Sequence, residues 1–317
     1  MDYIIVQAGG KGTRLEYLTK NKPKALVPVD NLPMLFHLFR KYPDKKFVVI
    51  ADYRKEVMHE YLSAFAEVQY QIVDATGTGT CAGIKQALAL IPENEPFMLV
   101  WSDLILPVDF ELPKAYETGG KPSTDYVGLS QTFPCRWKYE NGEFAEECSV
   151  DYGVAGFFLF SEKEKLSKVP ESGELVRWMK EQKLTYDVVG LAGTREFGIL
   201  EEYNKLEQSK CRPFNKVRVE FDKENSNSIF VKEAVDAQGE KLAQRECAWY
   251  AKAKELGISV LPQIYETMPL KMEYIDGSNI YDCDYTYEKK KQILVTLIDA
   301  LHKLHQSESM PADSFSV

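Results

Sequence analysis

The stretch AGGKGTRL, Ala8 to Leu15, followed by KPKALVPV, Lys22 to Val29, decides how this chain is read. Ahead of it, the apolar run Tyr3 to Val6 has the character of a buried strand. Gly9, Gly10 and Gly12 then permit a tight turn whose backbone N–H groups can face phosphate oxygens. Arg14 and Lys24 add side-chain cations. A chain of net charge -9 repels a polyphosphate unless cations are gathered locally, and this segment gathers them.

Outward from that turn, strand-like runs at Tyr3 to Val6, Lys46 to Ile50, Val68 to Val73 and Phe97 to Trp101 alternate with helical patterns. Those patterns cover Pro33 to Arg40, Arg54 to Ala64 and Ala82 to Leu90. The alternation predicts an α/β fold, a Rossmann-like mixed and mostly parallel sheet with helices on both faces. Further strands are expected over Tyr126 to Phe133 and Gly153 to Phe160, around a polar excursion, Lys138 to Glu147, that reads as an irregular insertion. Helices are expected over Ser161 to Ser167 and Glu171 to Glu181, with a strand from Tyr186 to Gly190. The CRPFN segment then breaks the pattern, which places a domain boundary near Arg212 and gives domains 1–212 and 213–317.

Other glycine-loop chemistries fit poorly. A phosphate loop needs Gly-Lys followed by Ser or Thr, whereas Lys11 precedes Gly12; a dinucleotide fingerprint needs a small residue where Leu15 stands. Gly77 to Ala82 does match GxGxxA, but it lies late and lacks a first βαβ unit, leaving a dinucleotide oxidoreductase as a minor alternative. The length of 317 residues and 44% hydrophobic content suit two domains with a sizeable core. An acidic chain without a Lys/Arg stripe is not expected to grip nucleic acid. The six cysteines, at 81, 135, 148, 211, 247 and 283, lack CxxC spacing and read as reduced thiols. No signal-type segment and no run of about 18 apolar residues appears, so a soluble cytoplasmic protein without membrane insertion is expected.

The order GGKGTRL, KPKALVPV, GTGTCAG at Gly77 to Gly83 and VWSDLI at Val100 to Ile105 resembles the nucleotidyltransferases that make nucleotide-diphospho-sugars and CDP-alcohols. The resemblance covers roughly Met1 to Lys210. It implies that Gly9, Gly10, Gly12 and Thr13 line the triphosphate, that Arg14 holds the departing pyrophosphate, and that Lys24 bridges the reacting phosphates. Ala8, Gly79 and Thr80 would lie beside base and ribose. Asp103, a carboxylate after the buried strand in FMLVWSD, is expected at the carboxyl edge of the sheet, where such folds bind ligands. With the upstream motifs it reads as a Mg²⁺ ligand. Glu196, in EFGILEEY, stands where the family carries a second metal-binding carboxylate, although here it is a glutamate without the usual Thr-Pro that follows. These residues suit in-line attack of an acceptor phosphate on the α-phosphorus of a nucleoside triphosphate, and no serine, histidine or zinc constellation competes. His37, His59, His302 and His305 lie within helical patterns and read as structural.

Beyond Arg212 the pattern becomes hairpin then helix, a small α+β lobe. It resembles the N-lobe of choline and aminoglycoside kinases: FVKEA carries Lys232, RECAWYAKAKELG carries Glu246, KMEYIDG resembles the hinge and LIDALHKLHQ the helix after it. The resemblance implies that Lys232 pairs with Glu246 and holds ATP phosphates. No catalytic-loop HxD with a following Asn occurs before Val317, so no kinase activity is expected of this chain. The lobe reads as part of a longer bifunctional protein or as a docking and regulatory module. The kinase likeness points the acceptor toward phosphocholine or another phospho-alcohol, with CTP as the favoured nucleotide, and makes Trp101, Trp137, Tyr152 and Trp178 candidates for an aromatic cage as well as for core packing. A sugar-1-phosphate acceptor fits the N-terminal motifs equally well. A nucleotide-binding regulatory protein without turnover is the alternative from another class.

Overall fold

The computed structural model describes residues 1–117, 122–206, 213–222, 227–258, 261–278 and 283–306. The chain divides into two compact units, Met1–Ser209 and Lys210–Val317. The boundary expected near Arg212 lies outside the described residues.

In the first unit the chain runs through β1 (Tyr3–Gln7), the short hairpin β2 (Pro28–Val29) and β3 (Leu32–Pro33), α1 (Met34–Lys41), β4 (Lys46–Ala51), α2 (Lys55–Phe65) and β5 (Gln69–Asp74). Next come α3 (Ile84–Ala89), β6 (Phe97–Trp101), β7 (Leu104–Ile105), α4 (Lys114–Glu117), β8 (Tyr126–Ser130), β9 (Lys138–Glu140) and β10 (Glu143–Ala145). The unit closes with β11 (Gly153–Phe160), α5 (Leu175–Glu181), β12 (Asp187–Gly190), β13 (Arg195–Glu196) and α6 (Leu200–Asn204).

Nine of these strands form one mixed sheet in the order β10-β9-β11-β6-β1-β4-β5, with β8 joined to β11 and β12 to β8. The block β6-β1-β4-β5 is parallel throughout, and the antiparallel pairings begin at β11. β1 lies between two parallel neighbours, which explains its unbroken apolar run: Ile4, Ile5 and Val6 are fully buried. A large core gathers Ile5, Val48, Leu99, Phe158 and Phe160 of the sheet with Val176 and Met179 of α5.

Four expectations are corrected by tertiary pairing. The polar excursion from Lys138 is not irregular but the hairpin β9–β10, whose Tyr139 and Phe144 are buried and stack 4.6 Å apart. β8 stops at Ser130 because that side chain caps a turn, accepting from the N–H of Phe133 at 3.0 Å. α3 starts at Ile84, after Gly83 takes φ +78°. α5 starts at Leu175 rather than near Glu171, because Gly173 takes φ +124° and gives both its N–H and its carbonyl to another loop.

The second unit holds an antiparallel sheet of β14 (Asn215–Asp222), β15 (Asn227–Ala234), β16 (Ile264–Thr267) and β17 (Leu270–Glu273), in the order β14-β15-β17-β16. It also holds α7 (Ala237–Glu255), capped by the Asp236 carboxylate accepting from the Gly239 N–H at 2.8 Å, and α8 (Tyr287–Gln306). Lys232 on β15 pairs with Glu246 on α7. Among the described residues, no helix is long and apolar enough to cross a membrane.

Candidate functional site

Gly12 takes φ +64°, and a Cβ there would meet the Lys24 Cβ at 3.0 Å. The glycine therefore lets the turn press against the segment that carries Lys24, and the Thr19 hydroxyl donates to the Gly12 carbonyl at 3.1 Å to hold the turn shut. Below them Leu15, Val27, Val29, Met34, Ile105 and Phe197 form a small buried cluster. That cluster fastens the residues flanking Arg14, Lys24, Asp103 and Glu196 to one another, at about 1.5–3 kcal/mol per large buried side chain.

Asp103 follows β6, at the carboxyl end of the parallel block. The pairing of β13 with β7 sets Glu196 opposite Leu104, and the Phe197 N–H donates to the Asp103 carbonyl at 3.3 Å. The two carboxyl groups thus face each other, with the Lys24 ammonium paired to Asp103 and 3.9 Å from Glu196. Side-chain exposure is only 13% for Lys24, 11% for Asp103 and 22% for Glu196. Burial works to raise the Asp103 carboxyl, but the charge and hydrogen bond of Lys24 outweigh it and hold the group below its ordinary value. Burial first, and the Asp103 charge second, push Glu196 up to about 7. Two hard oxygen donors crowded together in this way suit a divalent cation. Among the described residues no group of three or more His, Cys, Asp or Glu side chains could hold a metal ion, so a cation here would take its remaining ligands from phosphate and water.

Two cavities meet at this point. The first, about 370 Å³, is lined by Gly9, Gly10, Lys24, Gly79, Thr80 and Asp103 of the expected site residues. It is also lined by Trp101, one of the aromatic candidates, and by Gln7, Lys11, Asp52 and Ser102, to which the motifs assigned no role. Gln7 and Asp52 stand at or just after the carboxyl ends of β1 and β4, the sheet edge where ligands bind, and that position was their available signal. Gln7 donates to the carbonyls of Thr80 and Ala82 at 2.9 and 3.0 Å, holding the Gly77–Gly83 loop over the sheet.

The second cavity, about 400 Å³, shares Trp101 and Asp103 with the first and adds Arg14, Glu196, Phe133, Trp137 and Glu174. Arg14 thus lines this cavity and not the first. Ala8, Gly12 and Thr13 line neither, and Ala8 is buried at the end of the strand. Of the four aromatic candidates, Trp101 and Trp137 line the second cavity, Trp137 and Trp178 are both buried in the core cluster, and Tyr152 is 47% exposed. His37 lines neither cavity; its Nε2–H donates to the Val29 carbonyl at 2.9 Å. His59 pairs with Asp74.

Residues 3–118 match the family model described as Nucleotidyl transferase. Over 108 residues the chain is 36% identical to the UTP–glucose-1-phosphate uridylyltransferase AglF of Haloferax volcanii, a match covering 32% of this chain and 43% of that protein. It is 28% identical over 177 residues to the mannose-1-phosphate guanylyltransferase catalytic subunit beta of Dictyostelium discoideum, covering 50% of this chain and 49% of that one. The chain spans less than half the length of either relative. Both are nucleotidyltransferases by name. The fold is similar to the crystal structure of HddC from Yersinia pseudotuberculosis, with a TM-score of 0.51 at 18% identity, covering 65% of this chain and 98% of that one.

Proposed function

We propose that the first unit is a Mg²⁺-dependent nucleotidyltransferase that joins a nucleoside triphosphate, CTP favoured, to a small phosphomonoester and releases pyrophosphate. The observation that carries this reading is the convergence of Lys24, Asp103 and Glu196 where two cavities meet. A triphosphate in the first cavity and a phosphomonoester in the second bring an acceptor oxygen to the α-phosphorus at that junction.

Both reactants are anions, so the barrier falls through neutralisation and alignment. Backbone N–H groups of the Gly9–Gly10 turn and Lys11 receive the triphosphate, and Lys24 neutralises the reacting phosphates from the wall between the cavities. Arg14, expected at the departing pyrophosphate, lines the second cavity, and we assign it there to the acceptor phosphate instead. A phosphomonoester is already nucleophilic and needs no enzyme base. Asp103 and Glu196 would hold Mg²⁺, which when bound supplies charge for the phosphate oxygens.

For the acceptor, the rings of Trp101, Phe133 and Trp137 favour a phosphocholine-like alcohol, because aromatic faces attract a quaternary ammonium. A sugar-1-phosphate is the second reading, favoured by the named substrates of the two relatives. Pyrophosphate release measured with CTP, UTP, ATP and GTP against phosphocholine, phosphoethanolamine, glucose-1-phosphate and mannose-1-phosphate tests both. Silence in every combination, with Mg²⁺ present and the fold verified, sinks the enzyme reading.

The proposal extends to a domain boundary near Arg212, a cytoplasmic location where nucleoside triphosphates are available, and a kinase-like small lobe in the second unit. The hairpin-then-helix order and the Lys232–Glu246 pair support the lobe. No phosphotransfer is proposed for this chain.

A further inference from the structure

Residues 171–175 are zipped to the Gly77–Cys81 loop by four hydrogen bonds. The Gly173 N–H donates to the Thr78 carbonyl at 2.9 Å, and the Gly173 carbonyl accepts from the Cys81 N–H at 3.0 Å. The Thr78 N–H donates to the Ser172 hydroxyl oxygen at 3.0 Å, and the Leu175 N–H donates to the Thr80 hydroxyl oxygen at 2.8 Å. The approach is so close that a Cβ on Gly77 would lie 1.9 Å from the Glu171 carbonyl oxygen, and one on Gly79 would lie 2.4 Å from that of Gly173. Two loops 90 residues apart in sequence therefore form a single rigid piece.

One end of this piece faces the first cavity through Gly79 and Thr80. The other end carries Glu174, whose Oε1 accepts from the Trp137 indole N–H at 2.5 Å, and both residues line the second cavity. Arg136 and Arg177 flank the same carboxylate at 3.5 and 3.6 Å, so its charge is already balanced and its orientation fixed. Nothing in the flanking sequence singled Glu174 out, because Trp137 and Arg136, two of its three partners, come from the segment just before β9.

We propose that Glu174 is a positioning residue that transmits nucleotide occupancy of the first cavity to the Trp137 wall of the second. A nucleotide that orders the 77–81 loop orders residues 171–175 with it, and Glu174 then fixes the indole against which the acceptor packs. By linkage, an acceptor resting on Trp137 tightens the nucleotide site by the same factor. This inference rests on the nucleotide and acceptor reading of the two cavities, and the experiment separates the failure of each.

The full chain is labelled with 5-fluorotryptophan, its four tryptophan ¹⁹F lines are assigned by single Trp→Phe changes, and CTP, UTP, ATP and GTP are each titrated with Mg²⁺. Trp101 lines the nucleotide cavity and reports occupancy directly; Trp137 reports transmission. With the nucleotide that moves the Trp101 line, the Trp137 line moves by more than its linewidth in the wild type and in Glu174→Gln, which keeps an oxygen acceptor for the indole. It stays in place in Glu174→Ala. A Trp101 line that moves while Trp137 remains still in the wild type overturns the proposal and leaves the nucleotide reading intact. A Trp101 line unmoved by every nucleotide removes the nucleotide reading and this proposal with it.

Kinetics with the acceptor found in the pyrophosphate assay add a second criterion. Glu174→Ala raises the acceptor KM about tenfold, within the coupling range of residues in contact, and has little further effect once Trp137→Phe is present. Full additivity of the two changes means that Glu174 does not act through the indole, which also overturns the proposal.

Discussion

Lys24→Met removes the ammonium that stands between two carboxyl groups and leaves nothing in its place. Asp103 loses its ion-pair partner and Glu196 loses a cation 3.9 Å away, at sites whose side chains are only 11% and 22% exposed. Removing one partner of a buried pair costs about 3–5 kcal/mol, and the residual exposure argues for the lower end, about 3 kcal/mol. For a unit of this size that corresponds to a midpoint of thermal unfolding lowered by about 6–12 °C. Three of the four tryptophans lie in the first unit, so urea unfolding followed by tryptophan emission reports mainly on it, and Trp249→Phe in both proteins removes the remainder. Mg²⁺ then discriminates. In the wild type a cation must compete with Lys24 for Asp103, whereas in the variant the facing Asp103 and Glu196 carboxyl groups have no ammonium to be displaced. Added Mg²⁺ at about ten times its dissociation constant should return roughly 1.4 kcal/mol to the variant and less to the wild type. A Lys24→Met protein as stable as the parent without metal, or one that gains no more from Mg²⁺ than the parent does, refutes this account of the junction. Turnover in the same variant should fall by about 10²–10³-fold or more, the loss expected when a preorganised charge leaves a reacting centre.

Gly79→Ala should destabilise the first unit by roughly 1–3 kcal/mol, since it adds a Cβ at φ +80° that would meet the Gly173 carbonyl oxygen at 2.4 Å; urea midpoints check this, and an unchanged midpoint refutes the zipped-loop geometry. His37 is held below its ordinary value of 6.5, chiefly by burial, so the folded state favours the neutral ring and the unfolded chain binds more protons in that window. Stability should therefore be retained above about pH 6.5 and decline as pH falls toward the folded-state value; the decline should be shallower in His37→Gln, as read by thermal melts at pH 7.5, 6.5 and 5.5. Lys232→Met should shift the second unit by no more than about 1 kcal/mol, because both partners are partly exposed; a larger loss in circular dichroism melts would mean that the pair holds β15 to α7.

Much of the parallel block was legible along the chain. β1, β4 and β6 announce themselves as apolar runs because buried parallel strands have no solvent face, whereas the edge strand β5 alternates and buries only Val73; the helical periods between them survive in α1 and α2. The hairpin β9–β10 was hidden, because in each three-residue strand only the central residue, Tyr139 or Phe144, is buried, and three of the four residues flanking them are charged. The late start of α5 was hidden for a different reason. Gly173 stands at φ +124°, and its N–H and carbonyl are both taken by a loop more than 90 residues away, a pairing that the neighbouring residues do not display.

The same division runs through the site. Local chemistry is written in the chain: glycines that can take left-handed backbone, two cations within eleven positions, and a carboxylate at the end of a buried strand are statements about neighbouring residues, and each stands where it was read. Adjacency in space is not written there. That Glu196 faces Asp103 follows from β13 pairing with β7, that Lys24 lies between them follows from a turn pressed against the KPK segment, and that Arg14 opens on the second cavity follows from how the chain leaves that turn. Strand order and loop pairing set these distances, and those depend on which surfaces pack together once the whole sheet is assembled rather than on any short run of residues.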